Sequence, residues 1–166
     1  MVFNSLTFFV FFALVLALYY GLRSWRSKKR MLLVSSYLFY AAWNPPLVAL
    51  IWVSTIVEWF VAHRIHAAES TAKRRAFLWI SLTTNLGILA AFKYGDFFLT
   101  NFQSLLATAG IAYEAPNLDI VLPVGISFYT FQTLSYTIDV YREEMSPTDS
   151  FLDFALFVTF FPQLVA

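Results

Sequence analysis

The 166-residue chain is 60% hydrophobic and 20% aromatic but only 13% charged, where soluble proteins average about a quarter charged. This is the composition of an integral membrane protein. It leaves room for roughly five or six spans of about 20 residues and none for an independent soluble domain, so residues 1–166 read as one membrane domain. The lack of cysteine excludes disulfides, thiolate metal sites and a cysteine nucleophile, and the net charge of +1 matters less than where the charges lie.

The first apolar segment, residues 5–22, has no positive charge before it and a dense basic run after it: Arg23, Arg26, Lys28, Lys29 and Arg30. A secretory signal has the opposite polarity, so this segment is expected to be a retained transmembrane helix with an extracytoplasmic N-terminus. The second, residues 31–43, is short and stops at Asn44-Pro45-Pro46, and its basic neighbours can snorkel to complete the span. A third span over residues 47–61 leads to a loop holding His63, Arg64, His66, Lys73, Arg74 and Arg75.

A fourth span starts at Ala76 and runs to about Phe102, followed by a connection over residues 104–117 with no Lys or Arg. The fifth ends at Tyr141-Arg142-Glu143-Glu144. A sixth begins near Phe151 and is still apolar where the sequence stops, which reads as a truncated part of a longer chain. The expected fold is therefore all-α: a polytopic transmembrane bundle of about six spans. Ten of the eleven Lys and Arg residues fall on one side of it, which the positive-inside rule makes the cytoplasm, with Glu114 and Asp119 outside.

The fifth span is the most informative. On a helix wheel Gly125, Tyr129, Gln132, Tyr136 and Asp139 fall within about 80° of one another, a polar stripe in an apolar segment. An unsatisfied polar group is costly in hydrocarbon, so the stripe must face other protein or a watered cavity. In span four, Lys93 and Asp96 stand three apart with Asn85 on the same face. They are either the lining of a buried cavity or an interfacial pair at the outer end of the span. Glu58, near the cytoplasmic end of span three, is an intramembrane acid that is either functional or neutralised by Arg64 and its basic loop.

His63 and His66 share a helix face, but no further ligand beyond Glu69 completes a tetrahedral set, so no metal site is expected and a solvated surface is the better reading. The chain has no phosphate loop and no nucleophile elbow. Its basic loops point to anionic membrane lipids before nucleic acid.

The run Leu122-Pro123-Val124-Gly125-Ile126-Ser127-Phe128-Tyr129-Thr130-Phe131-Gln132, with Ser135-Tyr136 and Ile138-Asp139-Val140-Tyr141-Arg142 after it, resembles the characteristic segment of the membrane-bound O-acyltransferase superfamily (MBOAT), in its alginate O-acetylation branch. Supporting pieces are Met1-Val2-Phe3-Asn4-Ser5, the Tyr40-Ala41-Ala42-Trp43-Asn44-Pro45 elbow, Phe92-Lys93-Tyr94 and the closing Phe160-Phe161-Pro162-Gln163-Leu164-Val165-Ala166.

This resemblance implies the N-terminal portion of a multi-pass acyltransferase of the bacterial inner membrane, about three times as long. Such an enzyme takes acetyl from a cytoplasmic donor, acetyl-CoA, for an exported polysaccharide such as alginate, with periplasmic O-acetylation proteins as partners and no covalently bound cofactor. It places the catalytic histidine beyond Ala166 and matches neither His63 nor His66 to it, so no catalytic residue is assigned here. Tyr129, Gln132, Tyr136, Asp139, Asn85, Lys93 and Asp96 remain as candidate cavity lining. The competing reading is a non-enzymatic transport or scaffold component of a polysaccharide export machinery, since polar stripes also line transport paths.

Overall fold

The computed structural model describes residues 5–42, 44–111, 113, 123 and 125–164, which form seven α-helices and one 3₁₀ turn with no strand among them. Helix α1 (Leu6–Gly21) is capped by Ser5, whose hydroxyl accepts from the Phe8 N–H at 3.2 Å. Helix α2 (Trp25–Ala41) carries Arg26, Lys28, Lys29 and Arg30 in its first two turns. The basic run expected to be a loop is thus helical, and the apolar stretch after it gains the length it lacked.

The 3₁₀ turn Pro45–Leu47 then feeds α3 (Val48–Ala67). Proline is tolerated there because the first N–H groups of a helix have no intrahelical acceptor. Helix α4 (Thr71–Thr108) exceeds its expected bounds at both ends, with Lys73 to Arg75 in its first turns.

Gly125 opens α5 (Ile126–Tyr141) at φ +73°, a left-handed conformation that suits a residue without Cβ. Two backbone bonds close α5, Glu143 N–H to Val140 O at 3.1 Å and Glu144 N–H to Asp139 O at 3.0 Å. This is the Schellman pattern, with Glu143 at φ +65° where glycine is usual. The last apolar segment is broken into α6 (Phe151–Thr159) and α7 (Phe161–Leu164). Pro162 has no N–H to continue a helix but fits the opening turn of a new one. Residues 1–4, Trp43, Glu114, Asp119, Leu122, Val124 and 165–166, on which some expectations rested, lie outside the described residues.

Helices α3, α4 and α5 pack on one another around Ile51, Val61, Ile65, Leu89, Tyr129 and Val140, and α6 joins them through Phe154 and Val158. A smaller cluster of Val15, Phe39 and Phe161 ties α1, α2 and α7. Trp52, Ile56, Phe60, Trp79 and Ile80 face outward while Glu58, Asn85 and Thr133 are buried. Apolar outside and polar inside is the arrangement a lipid solvent favours. Two stretches, Pro45–Ala67 and Thr71–Thr108, are long and apolar enough to cross a bilayer, and Leu6–Gly21 and Phe151–Gln163 are shorter apolar helices.

The basic stretches and the end of α5 meet at one end of the bundle. Lys29 pairs with Asp153 at 2.5 Å, and Arg74 binds the Glu143 carboxylate and the Tyr141 carbonyl. Away from that end, the buried residues of α4 stop at Leu89.

Candidate functional site

A closed polar cluster lies where α3, α4 and α5 meet. Glu58 is 0% exposed. One carboxylate oxygen accepts from Asn85 Nδ2, and the other accepts from Ser81 Oγ at 2.9 Å and from Thr137 Oγ1. Asn85 Oδ1 in turn accepts from Ser54 Oγ at 2.6 Å, while the Thr133 hydroxyl, 3.5 Å away, has nearer acceptors on its own helix in Tyr129 O at 2.9 Å and Thr130 O at 3.0 Å. The Asn85 amide also reaches the Ser81 carbonyl at 3.2 Å.

Each helix contributes through its spacing. Ser54 and Glu58 are one turn apart on α3, Ser81 and Asn85 one turn apart on α4, and Thr130, Thr133 and Thr137 share a face of α5. None of these side chains is more than 1% exposed.

Every contact to Glu58 in this set comes from a neutral donor, so neutralisation by Arg64 is not what the structure shows. The Arg64 guanidinium lies over the Phe60 ring, 4.7 Å from its centroid, and no ion pair among the described residues involves Glu58. Buried carboxylates are costly unless all their lone pairs find donors, and here three donors from two other helices converge on one group.

The polar stripe of α5 occupies the adjacent face and divides among three environments. Tyr129 is 0% exposed in the core beside Tyr40, and its hydroxyl has no hydrogen-bond partner among the described residues. Gln132 donates to the Phe157 carbonyl of α6 at 2.9 Å and borders a groove with Phe128 and Phe131. Tyr136 and Asp139 line a cleft of about 420 Å³ with Met145, Thr148, Asp153, Phe154 and Phe157, and the Thr148 N–H donates to Tyr136 Oη at 2.9 Å. Gly125 is the hinge of the entry turn and lines none of these.

On α4, Asn85, Lys93 and Asp96 do not act together. Asn85 belongs to the buried cluster, whereas Lys93 and Asp96 are exposed. Lys93 donates to Ser127 Oγ at 3.2 Å instead of pairing with Asp96, tying α4 to the start of α5. Among the described residues Lys93 and Asp96 therefore do not form a pair.

The two histidines are separated in the same way. His63 Nδ1–H donates to the Trp59 carbonyl of its own helix at 2.7 Å with the rings 4.3 Å apart, whereas His66 is exposed beside Arg74. Among the described residues no group of three or more His, Cys, Asp or Glu is placed to hold a metal.

Comparison with known proteins gives this geometry its context. The chain is 38% identical over its whole length to a probable alginate O-acetylase of Azotobacter vinelandii and 38% identical, again over its whole length, to one of Pseudomonas aeruginosa. It is 35% identical over 83% of its length to a peptidoglycan O-acetyltransferase of Helicobacter pylori. The chain is a homologue of these polysaccharide O-acetylases.

The resemblance read from the α5 segment therefore extends across the chain. The chain covers 33%, 32% and 30% of the lengths of these relatives, about a third. No protein-family model and no solved structure matches it. Within this polysaccharide O-acetylase homologue, the Thr130, Thr133 and Thr137 face is the part that sequence reading passed over. Its only signal was the i, i+3, i+7 recurrence of one hydroxyl residue opposite a lone intramembrane acid.

Proposed function

We propose that this chain is the N-terminal portion of a membrane-bound O-acyltransferase, of the MBOAT type, that takes acetyl from a cytoplasmic donor and supplies it for O-acetylation of an exported polysaccharide. The observation that carries this reading is the similarity to alginate O-acetylases over the whole length of the chain. Alginate is the favoured acceptor because those matches span the whole chain, and acetyl-CoA is the proposed donor. Peptidoglycan is the second reading, favoured by the Helicobacter pylori relative.

The proposed setting is the bacterial inner membrane, with about six spans, an extracytoplasmic N-terminus and the basic end of the bundle in the cytoplasm. Lys29–Asp153 and Arg74–Glu143, at one end, support that orientation. Acetyl transfer needs a base for the acceptor hydroxyl, donors for the developing oxyanion and a site that keeps water from the thioester. The stripe residues Gln132 and Tyr136 supply donors, and the base comes from outside residues 1–166. Periplasmic O-acetylation proteins complete transfer to the polymer.

The test is to express the full-length protein in a host that exports unacetylated alginate and carries the periplasmic machinery, then measure O-acetyl esters on the polymer. Ester formation that depends on the protein is the expected result. Acetylation that appears only on peptidoglycan moves the assignment to the second reading, and export restored without acetylation favours a transport component.

A further inference from the structure

We propose that Glu58 is a positioning residue for α5: it fixes the rotation of that helix about its axis and thereby aims the stripe that carries Gln132 and Tyr136. The inference rests on the acyltransferase reading above only for what the stripe does; the clamp itself rests on geometry.

A helix held along one line of its surface can still roll about that line unless contacts to two different neighbours pin it. On α5 the pin is Thr137, which donates to Glu58 of α3, and the same carboxylate accepts from Ser81 and Asn85 of α4, whereas the Thr133 hydroxyl finds nearer acceptors on its own helix, Tyr129 O at 2.9 Å and Thr130 O at 3.0 Å. Glu58 thus joins both neighbours, and the one hydroxyl of Thr137 ties α5 to α3 and α4 together. Each successive side chain is turned by about 100°, which places Gln132 and Tyr136 one residue, and so one fixed angle, from Thr133 and Thr137. Setting the hydroxyl face sets the stripe.

Two further observations point to this role. Buried Ser and Thr in helices usually satisfy themselves on the carbonyl one turn back, as Thr55 does on Ile51 at 2.7 Å and Thr159 on Ala155 at 2.7 Å. Thr137 reaches across to another helix instead. Apolar packing around Val140 and Phe154 is non-directional and tolerates rolling, and the other bonds of α5, with Lys93, Phe157 and Arg74, are exposed or half-buried, whereas that of Thr137 is buried and ends on a junction. Glu58 touches neither the cleft nor the groove, so its influence passes through α5 and not to a substrate.

The experiment uses the full-length protein in its own membrane, on a cysteine-free background, with Val140→Cys as a reporter of α5 packing. Val140 is 1% exposed. The variants are Glu58→Ala, Glu58→Gln and the milder Thr137→Val, which keeps side-chain shape. Two quantities are read: kcat and KM for acetyl transfer, and the rate at which a membrane-permeant maleimide labels the reporter.

Glu58→Ala is expected to lower kcat by about tenfold or more with KM changed less than about threefold, and to raise labelling, because misaiming a group by an ångström is costly in rate. Glu58→Gln, whose Oε1 still accepts from Asn85 while its amide N–H groups donate to the Ser81 and Thr137 hydroxyls, restores both, and Thr137→Val falls between. Loss of kcat in Glu58→Gln with the reporter still protected would overturn the proposal by giving the carboxylate a chemical role. Unchanged kcat and labelling in Glu58→Ala overturn it as well. If the wild type transfers no acetyl, the acyltransferase reading fails, and the labelling series still decides the clamp.

Discussion

Asn85 donates its side-chain amide to Glu58 between α4 and α3, and the same amide group accepts from Ser54 of α3 through its oxygen. One asparagine thus uses both ends to hold α4 to α3 at the junction that Thr137 of α5 joins. Deleting either partner alone strands buried groups at a cost of about 1–3 kcal/mol, while replacing both with apolar side chains is far milder. The double variant Glu58→Leu/Asn85→Leu should therefore destabilise by at least about 1 kcal/mol less than the sum of the single variants. Melting temperatures of the full-length protein in detergent measure this, and strict additivity would show that the pair is not coupled.

Glu143 gives a prediction with opposing terms. A side chain in the left-handed region costs about 1 kcal/mol, and an exposed ion pair returns about 0–1 kcal/mol. Glu143 is at φ +65° with its side chain 71% exposed, paired to Arg74. Glu143→Gly should leave stability within about 0.5 kcal/mol of wild type, whereas Glu143→Val, which keeps the strain and loses the pair, should cost about 1–2 kcal/mol. The same thermal melts rank the two, and a Val variant as stable as Gly would refute the assignment of strain.

The helices were legible in the sequence because apolar runs in a bilayer-like composition leave little choice of secondary structure, and prolines 45, 46 and 162 mark where helical turns begin. Their ends were not. Charged residues at 26–30, 63–66 and 73–75 read as loop by polarity, yet they are the terminal turns of α2, α3 and α4, where long cationic stems extend a helix into the headgroup layer. The site was half legible. The stripe from Tyr129 to Asp139 stood out because tyrosine, glutamine and aspartate contrast with lipid. Threonine does not, being β-branched and able to hide its hydroxyl on its own backbone, so the face that holds Glu58 was invisible until α3, α4 and α5 were brought together.

Orientation is tested by labelling. With the α2 start, the α4 start and the α5 end gathered at one end, a cysteine replacing Lys28 should react with an impermeant maleimide only after the cytoplasmic face is exposed. The pairing of Lys29 with Asp153 makes Asp149→Cys, in the loop before α6, report the same side. Labelling of either from the periplasm in intact cells would reverse the topology.

The hydroxyl of Tyr136 tethers the segment between α5 and α6 by accepting from the Thr148 N–H. Tyr136→Phe removes that bond, worth about 0.5–1.5 kcal/mol, and so should raise local opening roughly two- to tenfold. Arg142 is exposed at the start of this segment, so the rate of tryptic cleavage after Arg142 in membranes opened on that side is the measurement. An unchanged rate would mean that the Schellman closure of α5, and not the tyrosine, controls the segment.

Helix α4 has 38 residues. At 1.5 Å each it stands about 57 Å tall, against a hydrocarbon layer of about 30 Å. Even leaning at about 40°, the limit of ordinary tilt, it keeps about 44 Å of height. If Lys73 to Arg75 sit at one surface, a surplus of roughly 14 to 27 Å is left for the other end, where no residue from Lys93 to Thr108 is buried. α4 is therefore longer than a span requires. Such a helix is long enough to carry Lys93 and Asp96, both exposed, beyond the apolar layer that its first half can fill.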